Sequence, residues 1–134
     1  VAAILRGDTK RAGAMIDGVV PESPDGRKAT VASCIGISLG LLDNWMKGDA
    51  SGAPARLRHE CRIPAGHWHG ERAATDILVL AGKGRSFASL QPLIVRQGGH
   101  HVLNGSILAL AGAVQAWSAL SGSPVDEVIA NQIV

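Results

Sequence analysis

Four side chains in the middle of the chain have the types and spacing to hold a metal ion: His59 and Cys61, then His67 and His69. Residues two apart on a strand face the same way, so each pair offers two ligands to one ion. Imidazole together with thiolate suits zinc in a tetrahedral site. Glu60 and Glu71 are near enough in sequence to act as a base or to orient a ligand. With four protein ligands the zinc would be structural; with one position open to water, the chain would be a metal-dependent enzyme. The spacing matches no established zinc motif, and no Cys-x-x-Cys occurs. The competing reading is a surface hairpin whose histidines are incidental, with Leu57, Cys61 and Ile63 packed inward. Cys61 beside His59 or His67 is also a conceivable nucleophile, but a passive thiol fits the same residues.

Basic residues form two further candidates. Arg56, Arg58 and Arg62 share one face if residues 56–63 are a strand, a strip able to contact nucleic-acid phosphates, and Arg72 follows. Glu60 on that face weakens the strip, and charged edge strands also guard sheets against aggregation. Gly82-Lys83-Gly84-Arg85-Ser86 invites comparison with a phosphate-binding loop, but Ile77 stands where the upstream glycine belongs. Amides opening a helix at Ser86, with the charges of Lys83 and Arg85, still make an anion site conceivable. His100 and His101 are adjacent, so they point apart and make a poor ligand pair; they close the first turn of the helix that follows.

These groups must be held by the elements around them, and the dominant one is uncharged. No charged residue lies between Arg96 and Asp126. A segment apolar on every side has to be buried. Gly105, Ala109, Gly112 and Ala116 recur at helical steps as a stripe without bulk, beside Leu103, Ile107, Leu110, Val114 and Trp117. An earlier segment repeats the pattern: Ile35, Gly40 and Trp45 match Ile107, Gly112 and Trp117 at intervals of five. Ser33, Gly36 and Gly40 form its small stripe. The match suggests an internal duplication of residues 2–48 and 76–122. Glycine inside a helix costs about 1 kcal/mol relative to alanine, and two helices crossing at their small faces would offset that cost. Such stripes also pack helices in lipid. The first copy, however, has only the uncharged run 29–42, short of the ~20 residues needed to span, so no membrane is expected.

Punctuation places the remaining elements. The chain is apolar until Arg6, Asp8 caps a possible second short helix, and residues 21–26 form a loop. The first core helix starts at Arg27 or Thr30 and ends near Trp45. Strict alternation makes 56–63 a strand that Pro64 stops. Residues 71–81 suit a helix opened by an acidic turn or a strand at 77–80, and the duplication favours the helix. Residues 86–95 are read as a helix bent by Pro92, and Gly98-Gly99 as a break. Ser123-Pro124-Val125-Asp126 opens a last helix, with Ser123 as its cap.

The expected architecture is mainly α: one domain, residues 1–134, built as a helical bundle of two similar halves joined by a short polar β-like hairpin, with α+β as the alternative. A chain of 134 residues is long enough for a real core. A formal net charge of +2 is too small to indicate nucleic acid, and one Phe with no Tyr leaves few stacking platforms. Nothing demands a disulfide between Cys34 and Cys61 and no signal peptide is recognisable, so the cytoplasm is expected. The leading expectation is a small interaction or regulatory module that self-associates through Val128, Ile129 and Ile133, which suit docking onto the core as well. The alternatives are a zinc enzyme using the His/Cys cluster and a nucleic-acid-binding protein using the Arg56–Arg62 strip.

Overall fold

The computed structural model describes residues 1–5, 24–46, 61–63 and 70–132. The chain is mainly helical, and among the described residues there is no strand. In order, α1 is Ala2–Leu5, α2 Pro24–Met46, α3 Glu71–Gly82, a 3-10 turn Phe87–Ser89, α4 Leu90–Gln97, α5 Gly99–Ser121 and α6 Val125–Gln132. The helix read at 8–19, residues 56–60 of the expected strand and the turn at 64–69 lie outside the described residues. Residues 61–63, the described end of that strand, adopt no regular structure.

α5 is the axis. It touches each of the other α-helices, and Val102, Leu108, Ala109, Ala111, Ala113 and Val114 on it are fully buried. Its length and apolarity would allow it to cross a membrane, but 67% of its apolar window is covered by the rest of the chain, as expected of a core helix. The buried hydroxyl of Ser106 donates back to the Leu103 carbonyl at 2.8 Å, which lets a polar residue sit in that core. The helix stops where Gly122 turns left-handed, φ 73°, and returns its N–H to Ser118 at 3.0 Å.

α2 lies alongside α5 and runs the same way. Near one end, Val31 Cγ1 is 3.6 Å from where a Cβ on Gly99 would stand; near the other, Trp45 meets Trp117. The contact is not the expected crossing of small faces. Ser33 is exposed, Gly40 has nothing within 4 Å of its missing Cβ, and Gly36 faces Phe87 and Leu90. The small stripe of α5 serves different neighbours. A Cβ on Gly105 would stand 2.7 Å from Ala73 Cβ, and one on Gly112 would run into the carbonyl oxygen of Arg62. The bulky residues Ile35, Leu39 and Leu42 of α2 are the ones fully buried. Burying them yields more apolar area than burying glycines, so they decide which face of α2 turns inward.

Three boundaries differ from expectation. α2 starts at Pro24, inside the expected loop 21–26 and ahead of Arg27 or Thr30; a proline suits the first turn of a helix, where no N–H is needed. Phe87–Ser89 forms a 3-10 turn rather than the start of a bent helix, and α4 begins at Leu90. Pro92 is then its third residue, where a missing N–H costs nothing. α6 begins at Val125, the Pro124 carbonyl accepting from Val128 N at 3.1 Å.

Candidate functional site

Of the residues singled out by chemistry, the structure describes only some. His59, His67 and His69 lie outside the described residues. Cys61, the fourth expected zinc ligand, is a free thiol packed against α5, its Sγ 3.3 Å from the position of a Gly112 Cβ. Burial pushes it up to about 11, while the neighbouring Arg62 charge pulls the other way. At neutral pH it is a protonated core side chain, and a metal bound there would have to displace that proton. Arg56 and Arg58 lie outside the described residues. Arg62 is exposed, and its guanidinium donates to the Cys61 carbonyl at 2.9 Å.

At residues 82–87 the backbone groups expected to receive an external anion are already used. The amides of Lys83, Gly84 and Arg85 donate to carbonyls of Leu80 and Ala81, closing the end of α3. The next two amides are taken by a carboxylate of the chain itself. Ser86 N donates to Asp43 Oδ1 and Phe87 N to Asp43 Oδ2, each at 2.9 Å. The buried Ser86 Oγ adds a charge-assisted bond of 2.5 Å to Asp43 Oδ1 and lies 3.1 Å from the Leu39 carbonyl. The anion at this turn is thus Asp43, and Lys83 and Arg85 extend into solvent. One signal for this was visible: Asp43 is the only charged residue in the otherwise apolar 29–46. A lone carboxylate there needs a partner.

Val128 is also redirected. At 4% exposure it shares one core with Ile4 of α1, with Ile129 packed partly buried against it, so α6 docks on its own chain. Ile133 lies outside the described residues.

What the fold does assemble is an open cleft of about 460 Å³ among α3, α4 and the start of α5. α3 contributes Arg72, Ala73 and Asp76; the end of α4 contributes Arg96 and Gln97; α5 contributes His101; Gly70 completes the rim. Arg72 and Asp76 are one helical turn apart, which puts both on the same side of α3. Gln97 Nε2 donates to Asp76 Oδ2 at 2.7 Å and so spans from α4 to α3. His101 Nδ1 lies 2.9 Å from the Gln97 carbonyl, across the bend at Gly98. Gly70 itself is held against α5: a Cβ there would stand 2.9 Å from the Gly105 nitrogen. The glycine contacts therefore pull α3 close enough to α5 to form the wall of the cleft.

No protein family, curated protein or solved structure matches this chain. The cleft has to be read from its own chemistry. Arg72 and Arg96 are exposed, and among the described residues neither guanidinium has a hydrogen-bond or ion-pair partner. Two guanidiniums face one carboxylate, which already accepts from Gln97. Sequence reasoning noted Arg72 and His101 separately. It missed Asp76, Arg96 and Gln97, because α4 and α5 bring them together only after the chain bends at Gly98.

Proposed function

We propose that the chain is a small helical binding module with an interaction or regulatory role, whose α3–α4–α5 cleft receives an anionic group. The observation that carries this reading is the pair of guanidiniums, Arg72 and Arg96, that have no partner among the described residues and stand over a cleft of ligand size. Titration with inorganic phosphate, followed by the His101 imidazole resonances, tests it. Saturable shifts should weaken at least tenfold in Arg72→Ala and in Arg96→Ala. Equal binding by both variants and the parent protein would remove the proposal.

Self-association is a second reading, favoured by large apolar side chains left in solvent: Ile37 at 67% exposure, Val79, Phe87 and Val95 at 83%. Sedimentation at high micromolar concentration decides between monomer and oligomer. The cytoplasm is the proposed compartment, on the ground that Cys34 and Cys61 are free thiols. A duplication of residues 2–48 and 76–122 also remains a proposal. It is supported by the parallel course of the two helices that carry the matched Ile-Gly-Trp sets.

A further inference from the structure

We infer that the occupant of the cleft is a small phosphorylated polyol, an anion whose carbon skeleton carries hydroxyl groups. This rests on the anion-binding reading above and specifies its ligand. The volume of about 460 Å³ is several times what one tetrahedral phosphate fills, and falls in the range of sites for small organic molecules. The rest of the ligand must therefore suit what else lines the space. Among the described lining residues Ala73 is the one aliphatic side chain, and the other side chains carry polar groups that a lipid tail would leave unpaired.

Asp76 decides the character of the skeleton. Its carboxylate takes one bond from Gln97 Nε2 and, being acceptor-only when ionised, has capacity for further donors. A second phosphate beside it would be repelled. An ammonium would satisfy it, but would bring a third cation beside Arg72 and Arg96. A hydroxyl can donate to Asp76 and accept from a guanidinium, so it meets both demands without adding charge. The ligand thus has one anionic end for the arginines and hydroxyls for Asp76 and Gln97.

Calorimetric titration of the full chain with ribose 5-phosphate, inorganic phosphate and O-phosphoethanolamine tests this. Ribose 5-phosphate should bind at least tenfold more tightly than inorganic phosphate, with O-phosphoethanolamine no better than inorganic phosphate. Asp76→Ala should bring the ribose 5-phosphate preference close to one while inorganic phosphate still binds. Gln97→Ala, checked for an unchanged unfolding midpoint, should narrow the preference in the same direction and serves if Asp76→Ala fails to fold. Equal binding of ribose 5-phosphate and inorganic phosphate would overturn the polyol inference and leave the anion cleft standing. Tighter binding of O-phosphoethanolamine would overturn it in favour of an amine-bearing ligand. Binding of none of the three would overturn both readings.

Discussion

The indole of Trp45 meets that of Trp117 edge to face, with ring centroids 5.8 Å apart and planes at 63°. The positive edge of one ring lies toward the negative face of the other, the arrangement that aromatic quadrupoles favour. The pair locks the C-terminal ends of α2 and α5 together. In a double-mutant cycle with leucine at each position, we expect a coupling of about 0.5–1.5 kcal/mol beyond the loss of buried area. Strict additivity of the two single substitutions in denaturant unfolding would show that the rings are merely adjacent.

Asp43 joins α2 to the turn that opens α4. Asp43→Ala strips two amides and a buried hydroxyl of their acceptor, and should destabilise the chain by about 1–3 kcal/mol. Asp43→Asn keeps an acceptor oxygen but not the charge, so it should fall between alanine and the parent protein. Unfolding midpoints for both variants check this. An alanine variant as stable as the parent would mean that water replaces the carboxylate without cost.

The helical class and the position of α5 were legible because both depend on local pattern: apolar periodicity, uncharged length and the break at Gly98-Gly99. The pattern of α3 was open, since residues 77–80 suit a strand as well, and only the suggested repeat favoured a helix there. Which face of each helix turns inward was not legible. Small stripes on α2 and α5 look equivalent in sequence, yet Gly112 meets a backbone carbonyl while Gly40 meets open space. That difference is set by where residues 61–63 and α3 pass, which no helix pattern encodes. The Gly82–Ser86 segment has phosphate-loop composition, but its amides were claimed by Asp43 and by the end of α3. Hydrogen-bond partners more than 40 positions apart leave little trace in local spacing. The cleft escaped for the same reason, its residues being ordinary surface types until the bend at Gly98 brings α4 and α5 together.

The unlike glycines give a test with opposite signs. Gly40→Ala adds a methyl group into open space and removes a helix-interior glycine, so it should stabilise by about 0.5–1 kcal/mol. Gly105→Ala gains the same propensity but forces a methyl group to 2.7 Å from Ala73 Cβ and 2.8 Å from the Ala74 backbone nitrogen. Backbone cannot step aside cheaply, so net destabilisation of about 1–3 kcal/mol is expected. Because Gly105 also holds Gly70 and Ala73 at the rim of the cleft, its substitution should weaken anion binding, whereas Gly40→Ala should not. Two variants shifted in the same direction would contradict the packing described.

Cys61 makes the last prediction, which also bears on zinc. Its folded-state value of about 11 stands above the ordinary thiol value of 9.0 because burial penalises the thiolate. Below pH 9 the thiol is protonated in both folded and unfolded chains, and its burial contributes fully to stability. Between pH 9 and about 11 only the unfolded chain ionises, so stability falls by up to about 3 kcal/mol across that window. Cys61→Ala should be less stable than the parent at pH 7, because the Sγ contact at Gly112 is lost, yet should lack this alkaline step. Cys34 should react with a thiol reagent faster than Cys61 in the native chain, being half-buried rather than buried. A zinc ion held by His59, Cys61, His67 and His69 would have to displace the proton of the Cys61 thiol. Metal analysis of protein purified without chelator tests the four-ligand site: stoichiometric zinc that is lost in Cys61→Ala supports it, and protein free of zinc with unfolding unaffected by added chelator removes it.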